Sequence, residues 1–150
     1  MLGYFDNEEA NKAAFTEDGW FCTGDMGLID KDGYIFITGR KKSVIVLENG
    51  KNVFPEEIEE YLEDIPEIAE SVVVGRDAED DKVELVALIF PNRDEFAVDA
   101  DEDEIKKTIE NKITAVNKKL PAFKRITKIE LRDTEFEKTT SKKIKRHLVK

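Results

Sequence analysis

The feature that most constrains the fold is the run Val83-Glu-Leu-Val-Ala-Leu-Ile-Phe90. Its apolar residues fall on both faces of an extended chain, so this strand is predicted to lie at the centre of its sheet. Ser71 to Gly75, with three consecutive valines, is a second strand, and Ile126 to Leu131 a third. The turn from Asp77 to Lys82 is heavily charged and is expected to be exposed. From Asp101 to Leu120 the period changes: Ile105, Ile109, Ile113, Val116 and Leu120 share one helical face, and Pro121 ends it. A shorter helix opens at Pro55, where a missing N–H costs nothing, and Glu56 and Glu57 suit its positive end. Its predicted stripe is Ile58, Tyr61, Leu62 and Ile65. Ser141 to Leu148 reads as a terminal helix that turns Ile144 and Leu148 inward.

Upstream, Met26 to Asp30 and Tyr34 to Thr38 flank Lys31-Asp32-Gly33, a strong hairpin signal. Glu8 to Phe15 reads as a short helix. Val44 to Leu47 and Lys51 to Phe54 form a smaller hairpin about Glu48-Asn49-Gly50. Residues 1–40 cannot bury a core alone. Residues 43–150 follow a β-β-α-β-β-α-β-α order, a domain of ordinary size. The fold class is therefore α+β: a small domain with a mainly antiparallel sheet packed by helices, preceded by a β-hairpin. The junction is expected at Arg40 to Ser43, giving pieces 1–40 and 41–150.

Thirty-four acids against twenty-four bases give a net charge of −10, which disfavours non-specific nucleic-acid binding. Cys22 is the only cysteine, so no internal disulfide forms. It reads as a buried small residue. No apolar run approaches the roughly 20 residues that span a bilayer. Residues 1–6 do not read as a signal peptide. A cytoplasmic protein is the expectation.

Four stretches carry chemistry. Thr23-Gly24-Asp25 forms a turn before a strand. A carboxylate there either accepts two adjacent hydroxyls, as on a ribose, or bonds its own backbone. Arg40 follows Gly39 at a strand end and either forks onto a phosphate or pairs with a nearby carboxylate. Asn49-Gly50 is a plain hairpin turn or a point of close ligand approach. Lys138-Thr-Thr-Ser-Lys-Lys-Ile-Lys-Arg146 is either a solvated basic tail or a phosphate-handling loop. Asp99, Asp101, Asp103 and Glu110 mimic calcium-loop spacing, but Glu104 stands where the loop needs glycine. No metal site is expected. His147 is the lone histidine, so histidine relays have little support.

Gly19-Trp20-Phe21 with Thr23-Gly24-Asp25, then Gly39-Arg40, then Gly50-Lys-Asn-Val-Phe-Pro-Glu-Glu-Ile-Glu59, and finally the Lys138–Arg146 run together resemble the adenylate-forming enzymes. The match is most like the C-terminal portion of the long-chain fatty acid–CoA ligases. The resemblance implies that Asp25 binds the ATP ribose and that Arg40 contacts the nucleotide. It makes Lys42 the hinge of a swinging small domain and sets the Gly50 loop beside the pantetheine of CoA. Lys143 aligns with the catalytic lysine, with Lys142 the adjacent candidate. Glu137 and Lys142 replace the family's proline and glycine.

The implied reaction joins a fatty acid to CoA through acyl-AMP, using ATP and Mg2+. The implied partner is a large N-terminal adenylation domain, and peripheral membrane contact by the whole enzyme stays open. This chain alone is expected to be inactive. A non-catalytic acidic interaction module with the same fold, or an enzyme that loads a carrier protein, are the alternatives.

Overall fold

The computed structural model describes residues 1–78 and 82–149. The chain forms two compact units, Met1–Ser43 and Val44–Lys150.

The first unit begins with helix α1 (Glu8–Ala14), capped by Asn7, whose side chain accepts from the Ala10 N–H at 3.0 Å. Strands β1 (Asp25–Ile29) and β2 (Ile35–Arg40) form the expected antiparallel hairpin. The Asp30 carboxylate closes its turn, accepting from the N–H groups of Asp32 and Tyr34, both at 2.9 Å. Gly33 supplies the left-handed residue, with φ +86°. Leu28, Ile29, Tyr34, Ile35, Phe36 and Ile37 are all exposed, as is Trp20. The hairpin is thus apolar on its surface. Cys22 is exposed rather than buried, which corrects the sequence expectation. Its N–H donates to Ala14 at the edge of this small unit, where there is too little chain to cover it.

The second unit holds the core. Strands β3 (Ile45–Val46) and β4 (Asn52–Val53) pair antiparallel and lead into helix α2 (Pro55–Glu63), with Pro55 in its first turn. Strand β5 (Ile68–Asp77) pairs antiparallel with β6 (Val83–Pro91). The charged turn expected between them lies partly outside the described residues. Helix α3 (Glu102–Lys119) crosses over to β7 (Lys128–Leu131), which pairs parallel with β6. A parallel pair needs a crossover of about a dozen residues or more, and α3 supplies it.

The sheet order is β5-β6-β7, so β6 is central, as its two-faced apolar pattern predicts. Leu85, Ala87 and Ile89 face a cluster built with Ile58 and Leu62 of α2 and Ile105, Ile109, Ile113 and Val116 of α3. Burying each leucine, isoleucine or valine of this cluster contributes about 1.5–3 kcal/mol. Val86 and Leu88 face the other way, with Val72, and are covered by Phe136 and Ile144 from the C-terminal segment. Tyr61 departs from the predicted α2 stripe. It lies at the stripe's edge and is exposed.

The Asp101 carboxylate caps α3, accepting from the Glu104 N–H at 2.8 Å. That capping role accounts for an aspartate in the calcium-like spacing.

The predicted terminal helix does not form. Lys138 and Ile144 make an antiparallel bridge, and the Lys145 N–H donates to the Glu137 carbonyl at 2.8 Å. Segment 137–145 is a hairpin, followed by a single 3-10 turn at Arg146–Leu148. Ile144 packs inward on the sheet, whereas Leu148 is exposed. Backbone and ionic partners on other elements outweigh a weak local helical pattern here. No helix among the described residues is long and apolar enough to cross a membrane.

Candidate functional site

Asp25 and Arg40 face one another at the open end of the first hairpin. They are register partners, and an Arg40 Nη1 donates to Asp25 Oδ1 at 2.5 Å. The Asp25 N–H donates to the Thr23 hydroxyl at 3.1 Å, and Gly24 takes φ +78°. The hydrogen bond from Arg40, then one from Thr23, hold the Asp25 carboxyl below its ordinary value. An anionic carboxylate and a guanidinium thus sit side by side, ready for hydroxyls and phosphates respectively. Lys42 lies exposed in the 3-10 turn Lys41–Ser43, at the end of the first unit.

In the second unit, Gly50 is exposed at φ +73° in a turn closed by its own N–H to Leu47 at 2.8 Å. The hairpin is fixed to the sheet from both ends. Glu48 accepts from the Val83 N–H at 3.1 Å, and Ile45 packs so close to Gly75 that a Cβ there would lie 2.7 Å from Ile45 Cγ2. Lys51 stands over the Phe123 ring at 4.4 Å.

Lys143 sits in the C-terminal hairpin. The turn is tied by Thr139: its hydroxyl accepts from the Lys143 N–H at 3.2 Å, and its carbonyl from the Lys142 N–H at 2.9 Å. Lys142 adopts φ +61°, a left-handed conformation uncommon for a side-chain-bearing residue. It stands where the resembled motif has glycine, so the backbone shape suited to glycine is kept without one. Glu137, in the proline's place, pairs with Lys145 at 3.5 Å. Among the described residues, Lys142 and Lys143 are exposed and have no ion-pair partner. Lys138, Lys145 and Arg146 are each paired.

Sequence reasoning missed what holds this hairpin. Arg146 donates to Glu59 of α2, which is only 7% exposed. The other Glu59 oxygen accepts from the Val73 N–H on the open edge of β5 at 2.6 Å. Burial pushes the Glu59 carboxyl up, against the pull of Arg146 and the Val73 N–H. Glu70 receives Lys138 and accepts from the Phe136 N–H at 2.8 Å. One sequence signal existed: Glu59 is flanked by Ile58 and Leu62, on the side of α2 that faces the core.

No group of three or more His, Cys, Asp or Glu side chains among the described residues is placed to hold a metal ion.

The family described as the AMP-binding enzyme C-terminal domain matches residues 42–150. The chain belongs to this family. A long-chain-fatty-acid–CoA ligase of Mycobacterium tuberculosis, FadD15, is 55% identical over 73 residues, 49% of the chain and 12% of the relative. The indoleacetate–CoA ligase of Aromatoleum aromaticum is 45% identical over 91 residues, 61% of the chain and 18% of the relative. The o-succinylbenzoate coenzyme A synthetase of Bacillus subtilis, solved with ATP and magnesium, superposes with a TM-score of 0.74 at 30% identity, over 99% of the chain and 28% of that structure. The chain thus matches a small part of each. These relatives are CoA ligases for different acids, so family membership does not fix the acid.

Proposed function

We propose that the chain is the closing part of an ATP-dependent acid–thiol ligase, which activates a fatty acid as acyl-AMP and transfers the acyl group to CoA. A carboxylate oxygen attacks the α-phosphorus of ATP, and pyrophosphate leaves. The CoA thiol then attacks the acyl carbon, and AMP leaves. The first step brings two anions together, and the Lys143 ammonium lowers that barrier by touching both. The Asp25 carboxylate accepts from the ribose hydroxyls, and Arg40 contacts the nucleotide. Lys42 is the pivot, and the Gly50 turn lies beside pantetheine in the thiol step. Residues 1–40 close the large adenylation domain, which covers the apolar hairpin, and 41–150 form the mobile lobe.

The observation that carries this reading is the state of the C-terminal hairpin. Lys138, Lys145 and Arg146 are paired with carboxylates, while among the described residues Lys143 and its neighbour Lys142 are exposed and without an ion-pair partner. A solvated tail has no need of that arrangement. The preference for a long-chain fatty acid rests on the Gly50–Glu59 run and the identity with FadD15.

A panel of carboxylic acids tests the function, offered with ATP and either CoA or a carrier protein to the longer enzyme that carries this chain. Long-chain acyl-CoA is the expected product. Acylation of the carrier alone would favour the carrier-loading alternative, and no adenylate from any acid would favour the interaction module. The 150-residue chain by itself is expected to form no acyl-CoA.

A further inference from the structure

The Arg146–Glu59 pair beneath the C-terminal hairpin, half-buried at the arginine and buried at the glutamate, has no part in the chemistry above. Arg146 follows Lys143 by three residues. It donates to Glu59 and stands 3.9 Å from Glu56. Glu59 is itself fixed, since its second oxygen holds the Val73 N–H at 2.6 Å. Between Lys143 and Arg146, Ile144 packs on the Val72, Val86 and Leu88 face. The backbone just after Lys143 is therefore held on two sides, by the sheet and by α2.

Stability alone is a poor reason for such a pair. Taking the Glu59 carboxylate and much of the guanidinium out of water offsets much of what their attraction returns, and apolar replacements of buried ion pairs are often as stable. What a guanidinium held on a buried carboxylate does supply is direction, because the planar group accepts few geometries.

We propose that Arg146 is a positioning residue for Lys143: anchored on Glu59, it sets the direction in which the hairpin presents the lysine ammonium. This rests on the role proposed above for Lys143. A misplacement of about 1 Å can cost about 100-fold in rate. Loosening Arg146 is therefore expected to damage the adenylation step, which uses Lys143, and not the thiol step.

The test compares Arg146→Met, Arg146→Lys, Glu59→Gln and Lys143→Ala in the longer enzyme. Acyl-AMP formation and thioester formation from supplied acyl-AMP are measured separately. The same substitutions in the 150-residue chain are followed by digestion with a lysine-specific protease and by amide exchange in α3. Arg146→Met is expected to lower kcat for adenylation by about 100-fold, with KM for ATP nearly unchanged and the thiol step intact. Cleavage after Lys142 and Lys143 should quicken while α3 exchange stays slow. Glu59→Gln should move the same readouts in the same direction, and Arg146→Lys should fall between wild type and Arg146→Met. Normal adenylation in Arg146→Met and Glu59→Gln, with Lys143→Ala disabled, would overturn the positioning role alone. Normal adenylation in Lys143→Ala would overturn the reading beneath it. Equal loss of both half-reactions with fast α3 exchange would make Arg146 a stability residue and overturn the proposal.

Discussion

The Asp25 carboxylate is bound to the guanidinium of Arg40, its cross-strand partner, at 2.5 Å. The two residues proposed to contact one nucleotide are thus each other's cross-strand partner. The proposed nucleotide contacts would exchange this exposed pair for ligand contacts, a small loss, since exposed pairs contribute little.

The pair sets a pH dependence. Arg40, and secondarily Thr23, depress the Asp25 carboxyl from its ordinary 3.8. A depressed acid supports the folded state fully above the unfolded value, and that support is lost as pH falls through the folded value. Carboxyl NMR titration should place the Asp25 midpoint below 3.8, and Arg40→Ala should move it upward. A midpoint that does not move on loss of Arg40 would contradict the pairing.

Lys142 is strained where glycine is free. A left-handed residue with a Cβ costs about 1–2 kcal/mol, and glycine's greater freedom when unfolded returns part of that. Lys142→Gly should raise stability by about 1 kcal/mol in denaturant unfolding and leave adenylation in place, since Lys142 is not the proposed catalytic cation. A loss of stability would show that the turn is not left-handed there.

Gly75 marks the contact that seats the Gly50 hairpin. A Cβ at 75 would lie 2.7 Å from Ile45 Cγ2 and 3.1 Å from Val83 Cγ1. Gly75→Ala should destabilise by about 1–3 kcal/mol. Ile45→Ala in the same chain should relieve part of that clash, so that the double variant costs less than the sum. Strict additivity would place Ile45 elsewhere.

The larger elements were legible because their signals are local. Asp32-Gly33 marked the first hairpin, and the five-residue stripe from Ile105 to Leu120 marked α3. The two-faced run from Val83 fixed the centre of the sheet. What was not legible depends on distant partners. The parallel pairing of β7 with β6 follows from where α3 delivers the chain. Segment 137–145 became a hairpin rather than a helix because Glu70 and Glu59, far back in sequence, take up Lys138 and Arg146. For Arg40, pairing with a carboxylate was one of its two readings, but Asp25 as the partner was not legible, since it lies 15 residues back across the hairpin. The exposure of Cys22 reflects a unit too small to bury it.

In the proposed mechanism Lys143, and not its neighbour, carries the positive charge to the reacting phosphate. That assignment is tested most directly by acid-dependent pyrophosphate release in the longer enzyme bearing Lys143→Ala, with Lys142→Ala beside it. Lys143→Ala should lower acyl-AMP formation by about 100- to 1000-fold, as removal of a transition-state charge partner does, and should spare thioester formation from supplied acyl-AMP. Lys142→Ala should leave both steps near wild type. Undiminished acyl-AMP from Lys143→Ala would contradict the account.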